Sequence, residues 1–162
     1  MEWQEVIDHP SLQDLPFKIE TDEWGQIVMS PAVDAHGIYQ SRMVRLLDRL
    51  AGEGRISTEC AIETARGTKV ADVAWRSTPF LKKHGTGNIS LPESPEIVVE
   101  VKSPSNSVKY MKLKSSLFFE AGAKEVWFCD KDGHVRYFNP QGETERSELF
   151  GKFPDHIDIG VV

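Results

Sequence analysis

Cysteine is almost missing from this chain of 162 residues: Cys60 and Cys129 stand far apart, with no metal-type spacing around either. That excludes a disulfide framework and a zinc finger or ribbon. Two buried thiols in a reducing compartment is the expectation, so the expected location is cytoplasmic. No apolar run approaches the roughly 20 residues needed to cross a bilayer. The start, Met1-Glu2-Trp3-Gln4-Glu5, lacks the basic-then-apolar order of a secretion signal. Also missing are a glycine-rich phosphate loop, a helix-turn-helix, a low-complexity tract and any internal repeat. Positive charge is in deficit, 19 Lys and Arg against 25 Asp and Glu, for a net charge of −6.

The deficit is local. Residues 1–35 hold eight acids and one lysine, a balance of −7, so everything after them sums to +1. Within that remainder Arg42, Arg45 and Arg49 repeat at helical spacing, and Lys109, Lys112, Lys114 and Lys124 cluster late in the chain. A nearly neutral body with basic faces can contact a phosphate backbone, because binding depends on local neutralisation. The same residues also suit ordinary solvated helix faces. Residues 1–22 read as an irregular acidic segment that could shield a basic surface, in which case removing it strengthens DNA binding.

The length fits one domain, residues 1–162, with a continuous core. A short strand is expected at Ile27–Met29. A helix follows over about 36–52, with Tyr39, Met43, Leu46, Leu47 and Leu50 as its apolar stripe and Gly52 ending it. Strands Ile56–Ile62 and Val70–Trp75 should form a hairpin, and 77–94 a long loop. Ile97–Lys102 is apolar on both faces and is the central strand candidate. After Ser103-Pro104-Ser105-Asn106-Ser107 comes a helix over about 107–122, with Leu113, Leu117 and Ala121 on one face. Strands at Val126–Cys129 and Val135–Phe138 flank an Asp132-Gly133 turn, and a last strand is expected near Ile157–Val161. This alternation gives an α/β or α+β fold, one mixed sheet with helices packed on it.

Two of these strands carry charge where a core strand should have none. Asp72 lies within Val70-Ala71-Asp72-Val73-Ala74-Trp75, and Glu100 and Lys102 within Ile97-Val98-Val99-Glu100-Val101-Lys102. Alternation puts Glu100 and Lys102 on one face and Val99 and Val101 on the other. An unpartnered buried carboxylate costs several kcal/mol or takes up a proton. A Mg²⁺ or Mn²⁺ ion removes that cost, since hard cations prefer carboxylate, carbonyl and water oxygens. The candidate metal ligands are Asp72, Glu100 and the carbonyl of Val101. Lys102 is placed to orient an attacking water or to stabilise charge on a phosphoryl group. The plain alternatives are a surface Glu–Lys pair, worth at most about 1 kcal/mol, and an Asp72 that satisfies a turn. Glu59 and Glu63 read as exposed partners, and His84 as a loop residue within possible reach of a phosphate.

The stretch Ser94-Pro95-Glu96-Ile97-Val98-Val99-Glu100-Val101-Lys102-Ser103-Pro104-Ser105, then Lys114, then Glu120-Ala121-Gly122-Ala123-Lys124-Glu125-Val126-Trp127-Phe128-Cys129-Asp130, resembles the Uma-two family of endonucleases. Val28-Met29-Ser30-Pro31, His36 with Gln40, and Ala71-Asp72-Val73-Ala74 extend the likeness to roughly residues 24–138. The resemblance implies a PD-(D/E)XK, restriction-endonuclease-like fold, a mixed central sheet flanked by helices. It implies Asp72 and Glu100 as metal ligands, Lys102 as the motif lysine, and Lys114 as a second catalytic lysine on the helix. His36 and Gln40 match a place where related nucleases set an accessory residue. The chain departs from the pattern at Tyr110, where members commonly carry an aspartate, and at Ala71 in place of proline. The function implied is a Mg²⁺-dependent endonuclease that hydrolyses DNA with metal-activated water, acting as a homodimer without a membrane. A non-catalytic nucleic-acid or protein interaction module on the same fold is the alternative.

Overall fold

The computed structural model describes residues 1–103 and 106–160. Its centre is a six-stranded sheet whose inner strands are apolar on both faces. β3 (Arg55–Thr64) and β4 (Gly67–Arg76) form the expected hairpin, and β4 is buried from Thr68 to Trp75. β5 (Ile97–Val101) is wholly buried and pairs antiparallel with β4 and parallel with β6 (Glu125–Cys129). The antiparallel strands β7 (Val135–Asn139) and β8 (Gly142–Thr144) complete the order β3-β4-β5-β6-β7-β8. A parallel pair needs a crossover, and α4 (Val108–Glu120) supplies it between β5 and β6. This is the mixed sheet flanked by helices that the sequence led us to expect.

Strand alternation sorts the core into two clusters. Ile97, Val99 and Val101 of β5 join Tyr39, Met43 and Leu47 of α2 (Asp34–Ala51) on one face. Val98, on the other, packs with Phe118 of α4 and with Ala71, Ala74 and Val126. Glu100 shares the Val98 face and so points toward α4. β1 (Phe17–Thr21) and β2 (Ile27–Pro31) form a separate two-stranded hairpin that docks beside β4.

Several expectations are corrected. Residues 1–22 are not irregular: they form α1 (Trp3–Asp8), a 3-10 turn at Pro10–Leu12, and β1. The expected loop 77–94 opens with α3 (Thr78–His84), capped by the Ser77 hydroxyl on the Phe80 N–H and anchored by buried Phe80. α4 is capped by Ser107, while Pro104 and Ser105 of the expected break lie outside the described residues. Its inward face carries Met111, Lys114, Ser115 and Phe118 beside Leu117; Leu113 is exposed. Among the described residues no strand forms at Ile157–Gly160, and the last strand is β8; Val161 falls outside them. Both cysteines are buried free thiols. No described helix is long and apolar enough to cross a membrane.

Candidate active site

The site sits where β4 parts from its neighbours. The β4–β5 ladder pairs Trp75 with Ile97, Ala74 with Val98 and Val73 with Val99, and stops there. Asp72 and Glu100, next in line, do not pair. On the other side Glu59 takes a positive φ of 50° opposite Asp72, between the pairs Thr58–Val73 and Cys60–Ala71. Asp72 has thus left the ladder on both sides, and side chains take over its backbone bonding. Its carbonyl oxygen accepts from the Gln40 amide at 2.8 Å, which also donates to Glu59 at 2.9 Å. Its own Oδ2 accepts the Val101 N–H at 2.7 Å, standing in for a strand carbonyl.

Beyond the fork, β1 takes the place of β5 beside β4. Its side chains accept the β4 amides, and the Thr21 carbonyl accepts from Lys69 Nζ at 2.6 Å. Glu20 Oε1 accepts from Val70 N at 2.7 Å and Thr21 Oγ1 from Thr68 N at 2.8 Å. The buried faces of β1, β4, β5 and α4 then meet around five charges. Asp72 Oδ1 lies 2.6 Å from Lys18 Nζ and 3.1 Å from His36 Nε2. Glu100 Oε2 lies 3.0 Å from Lys114 Nζ and 3.7 Å from Lys18 Nζ. Lys114, 3% exposed, also meets Glu20 at 2.6 Å and donates to the Val70 carbonyl at 3.1 Å. The Tyr110 hydroxyl donates to Glu20 Oε2 at 2.8 Å. Tyr110, where the pattern has an acid, therefore works through an acid from β1 that grips Lys114.

The protonation states follow from these contacts. Burial pushes against the ionised form of Asp72, but Lys18 and His36 outweigh it and hold the carboxyl well below its usual range. Burial also opposes ionised Glu20, and Lys114 and Lys18 again prevail. Glu100 goes the other way. Burial pushes it up to about 7, beyond what Lys114 and Lys18 offset. Burial works against charged Lys114, yet Glu100 and Glu20 raise it above the normal lysine value. The hydrogen bond to Asp72 raises His36. Among the described residues nothing hydrogen-bonds Glu100 Oε1, a buried carboxylate oxygen.

Of the residues expected from sequence, the structure gathers Asp72, Glu100, Lys114, His36 and Gln40, with the Val101 peptide between the two acids. Lys102 is set apart. It lies on the Glu100 face but lines a second cavity with Met111, Lys112 and Phe119, the flank of α4 away from Lys114. His84 pairs with Glu93 at 2.9 Å, outside the site. Lys18 and Glu20 were missed. Their only signal is alternation in Phe17-Lys18-Ile19-Glu20-Thr21, which by itself describes an exposed strand.

Asp72 opens onto a cleft of about 370 Å³, lined among others by Lys18, Glu20, His36, Asn106 and Lys114, with Glu100 buried behind it. No group of three or more His, Cys, Asp or Glu side chains is arranged as a metal cage among the described residues. Two carboxylates with an unsatisfied buried oxygen, beside a carbonyl and open cleft, nevertheless fit a hard cation that keeps water in its shell.

A mixed sheet with paired acids at the parting of its central strands and a lysine on the crossover helix is a restriction-endonuclease-like arrangement. The chain belongs to the Uma2 family, described as "Putative restriction endonuclease", whose model matches residues 4–157. It is also similar in fold to a crystal structure described as "a putative nuclease belonging to DUF820 from Anabaena variabilis ATCC 29413". That likeness has a TM-score of 0.72 and 20% identity, over 90% of this chain and 83% of that one. No curated protein matches the sequence.

Proposed function

We propose that the chain is a metal-dependent endonuclease that hydrolyses phosphodiester bonds in DNA. The observation that carries this is the pair Asp72 and Glu100, buried at the strand fork beside a cleft that Asp72 lines, with Glu100 Oε1 unsatisfied among the described residues. Asp72, Glu100 and the Val101 carbonyl would hold Mg²⁺ or Mn²⁺. When bound, such an ion supplies a water of lowered pKa and neutralises charge on a phosphoryl oxygen. The chain's own contribution is orientation. Val101 N–H, His36 and Gln40 fix Asp72 and its backbone, while Lys114, pinned by Glu20, fixes Glu100 and presents its ammonium to the cleft. Lys114 is therefore preferred over Lys102 as the working lysine. One such site cuts one strand, so duplex cleavage calls for two chains, in keeping with a homodimer.

The test is nicking of supercoiled plasmid with Mg²⁺ or Mn²⁺. Asp72→Asn, Glu100→Gln and Lys114→Ala should each lower the rate by about 100-fold or more, the scale of losing a transition-state charge contact. Lys102→Ala should retain most activity. Cleavage that survives in both carboxylate variants removes the site from consideration.

A further inference from the structure

Lys18 lies within reach of both acids that would hold a metal ion. Its ammonium is 2.6 Å from Asp72 Oδ1 and 3.7 Å from Glu100 Oε2, and it is the one ion-pairing side chain among the described residues that reaches both acids. Magnesium binds oxygen at about 2.1 Å. Asp72 Oδ1 already serves Lys18 and His36, so an ion held by both Asp72 and Glu100 would compete with the ammonium there.

The two lysines of the site are unequal in this respect. Lys114 is 3% exposed, held by Glu20, Glu100 and the Val70 carbonyl, and has nowhere to go. Lys18 is 15% exposed, its ammonium pairs among the described residues with just the two acids that would bind metal, and it borders the cleft into which its flexible stem can swing.

Resting on the metal-dependent reading above, we infer that Lys18 is a resident counter-cation that competes with the divalent ion for Asp72 and Glu100. β1 thereby sets the metal affinity of the site. In metal-free protein the ammonium keeps the acids from repelling one another; on metal binding it leaves for the cleft.

The test needs no DNA. Mn²⁺ binding is measured by calorimetry for wild type, Lys18→Gln and Asp72→Asn. Lys18→Gln should bind about tenfold more tightly than wild type, a change of the size that linked binding events typically show. Asp72→Asn should bind poorly. In wild type, acetylation of the Lys18 amine, followed by peptide mass spectrometry, should speed up when Mn²⁺ saturates the site. This second measurement decides the matter if Lys18→Gln does not fold. Equal or weaker Mn²⁺ binding by folded Lys18→Gln, or Lys18 labelling that Mn²⁺ leaves unchanged, overturns this inference and leaves the nuclease reading intact. No Mn²⁺ binding by any of the proteins overturns both.

Discussion

Glu100 and Glu20 are both buried acids beside Lys114, and they differ in what satisfies them. Glu20 has the Val70 N–H, the Tyr110 hydroxyl and Lys114; Glu100 has lysine contacts to one oxygen and none to the other. Glu100 is accordingly raised from an ordinary 4.5 to about 7. Between those values the folded protein holds a proton that the unfolded chain has released, so this group's contribution falls as pH rises. His36, raised by Asp72, acts in the same direction at somewhat higher pH, while Asp72 and Glu20 cost stability only on acidification. In a metal chelator, wild type should lose about 2 kcal/mol from Glu100 between pH 5.5 and 8.5. Thermal melts should show Glu100→Gln losing less stability over that interval, with the His36 part remaining; an equal slope in the variant would count against a buried titrating Glu100. Glu20→Gln instead leaves Lys114 short of a charge partner and should cost about 3 kcal/mol in urea unfolding. Asp72 and Glu100 were legible in sequence because a charge inside an apolar strand is conspicuous. Lys18 and Glu20 were not, because a strand with charged residues on alternate positions looks solvated until its partner is known.

At the scale of elements, the hairpin, α2, β5, β6 and β7 followed directly from periodicity and turn residues. The errors came where tertiary contact overrides a local pattern. α4 turns Met111 and Lys114 inward, and a lysine at a core position breaks an apolar stripe for a reason that lies on β1. α3 had its signals in Ser77-Thr78-Pro79 and Gly85, but seven residues are short enough to pass as loop. The docking of β1 also needs room at one turn position. Gly67 takes φ +82° where the chain from Thr21 to Asp22 passes, and an added Cβ would strike the Asp22 carbonyl and lie 2.5 Å from that of Thr21. Gly67→Ala should therefore cost about 2 kcal/mol or more through the left-handed backbone and the clash. The expected result is faster amide exchange at Thr68 and Val70, with β6 and β7 unchanged. Uniform loss across the sheet would mean that β1 docks independently of this turn.

For the whole molecule, the acidic N-terminal region is part of the buried charge cluster, since β1 delivers both Lys18 and Glu20. The sequence suggested a detachable shield whose removal would free a basic surface. The structure gives the opposite expectation. Without residues 1–22, the Val70 and Thr68 amides lose their acceptors, Lys69 loses the Thr21 carbonyl, and Lys114 loses Glu20. Each buried group left unsatisfied costs about 1–3 kcal/mol, so the truncated chain should be destabilised by on the order of 5 kcal/mol, most of the margin of an ordinary domain. Its DNA affinity, read by fluorescence anisotropy at several salt concentrations, should fall or be lost. A stable truncated protein that binds DNA more tightly, with a steeper salt dependence, would restore the shield and detach β1 from the site. The exposed arginines of α2 lie outside this network, so their replacement should alter the salt slope and leave the melting temperature within about a degree or two.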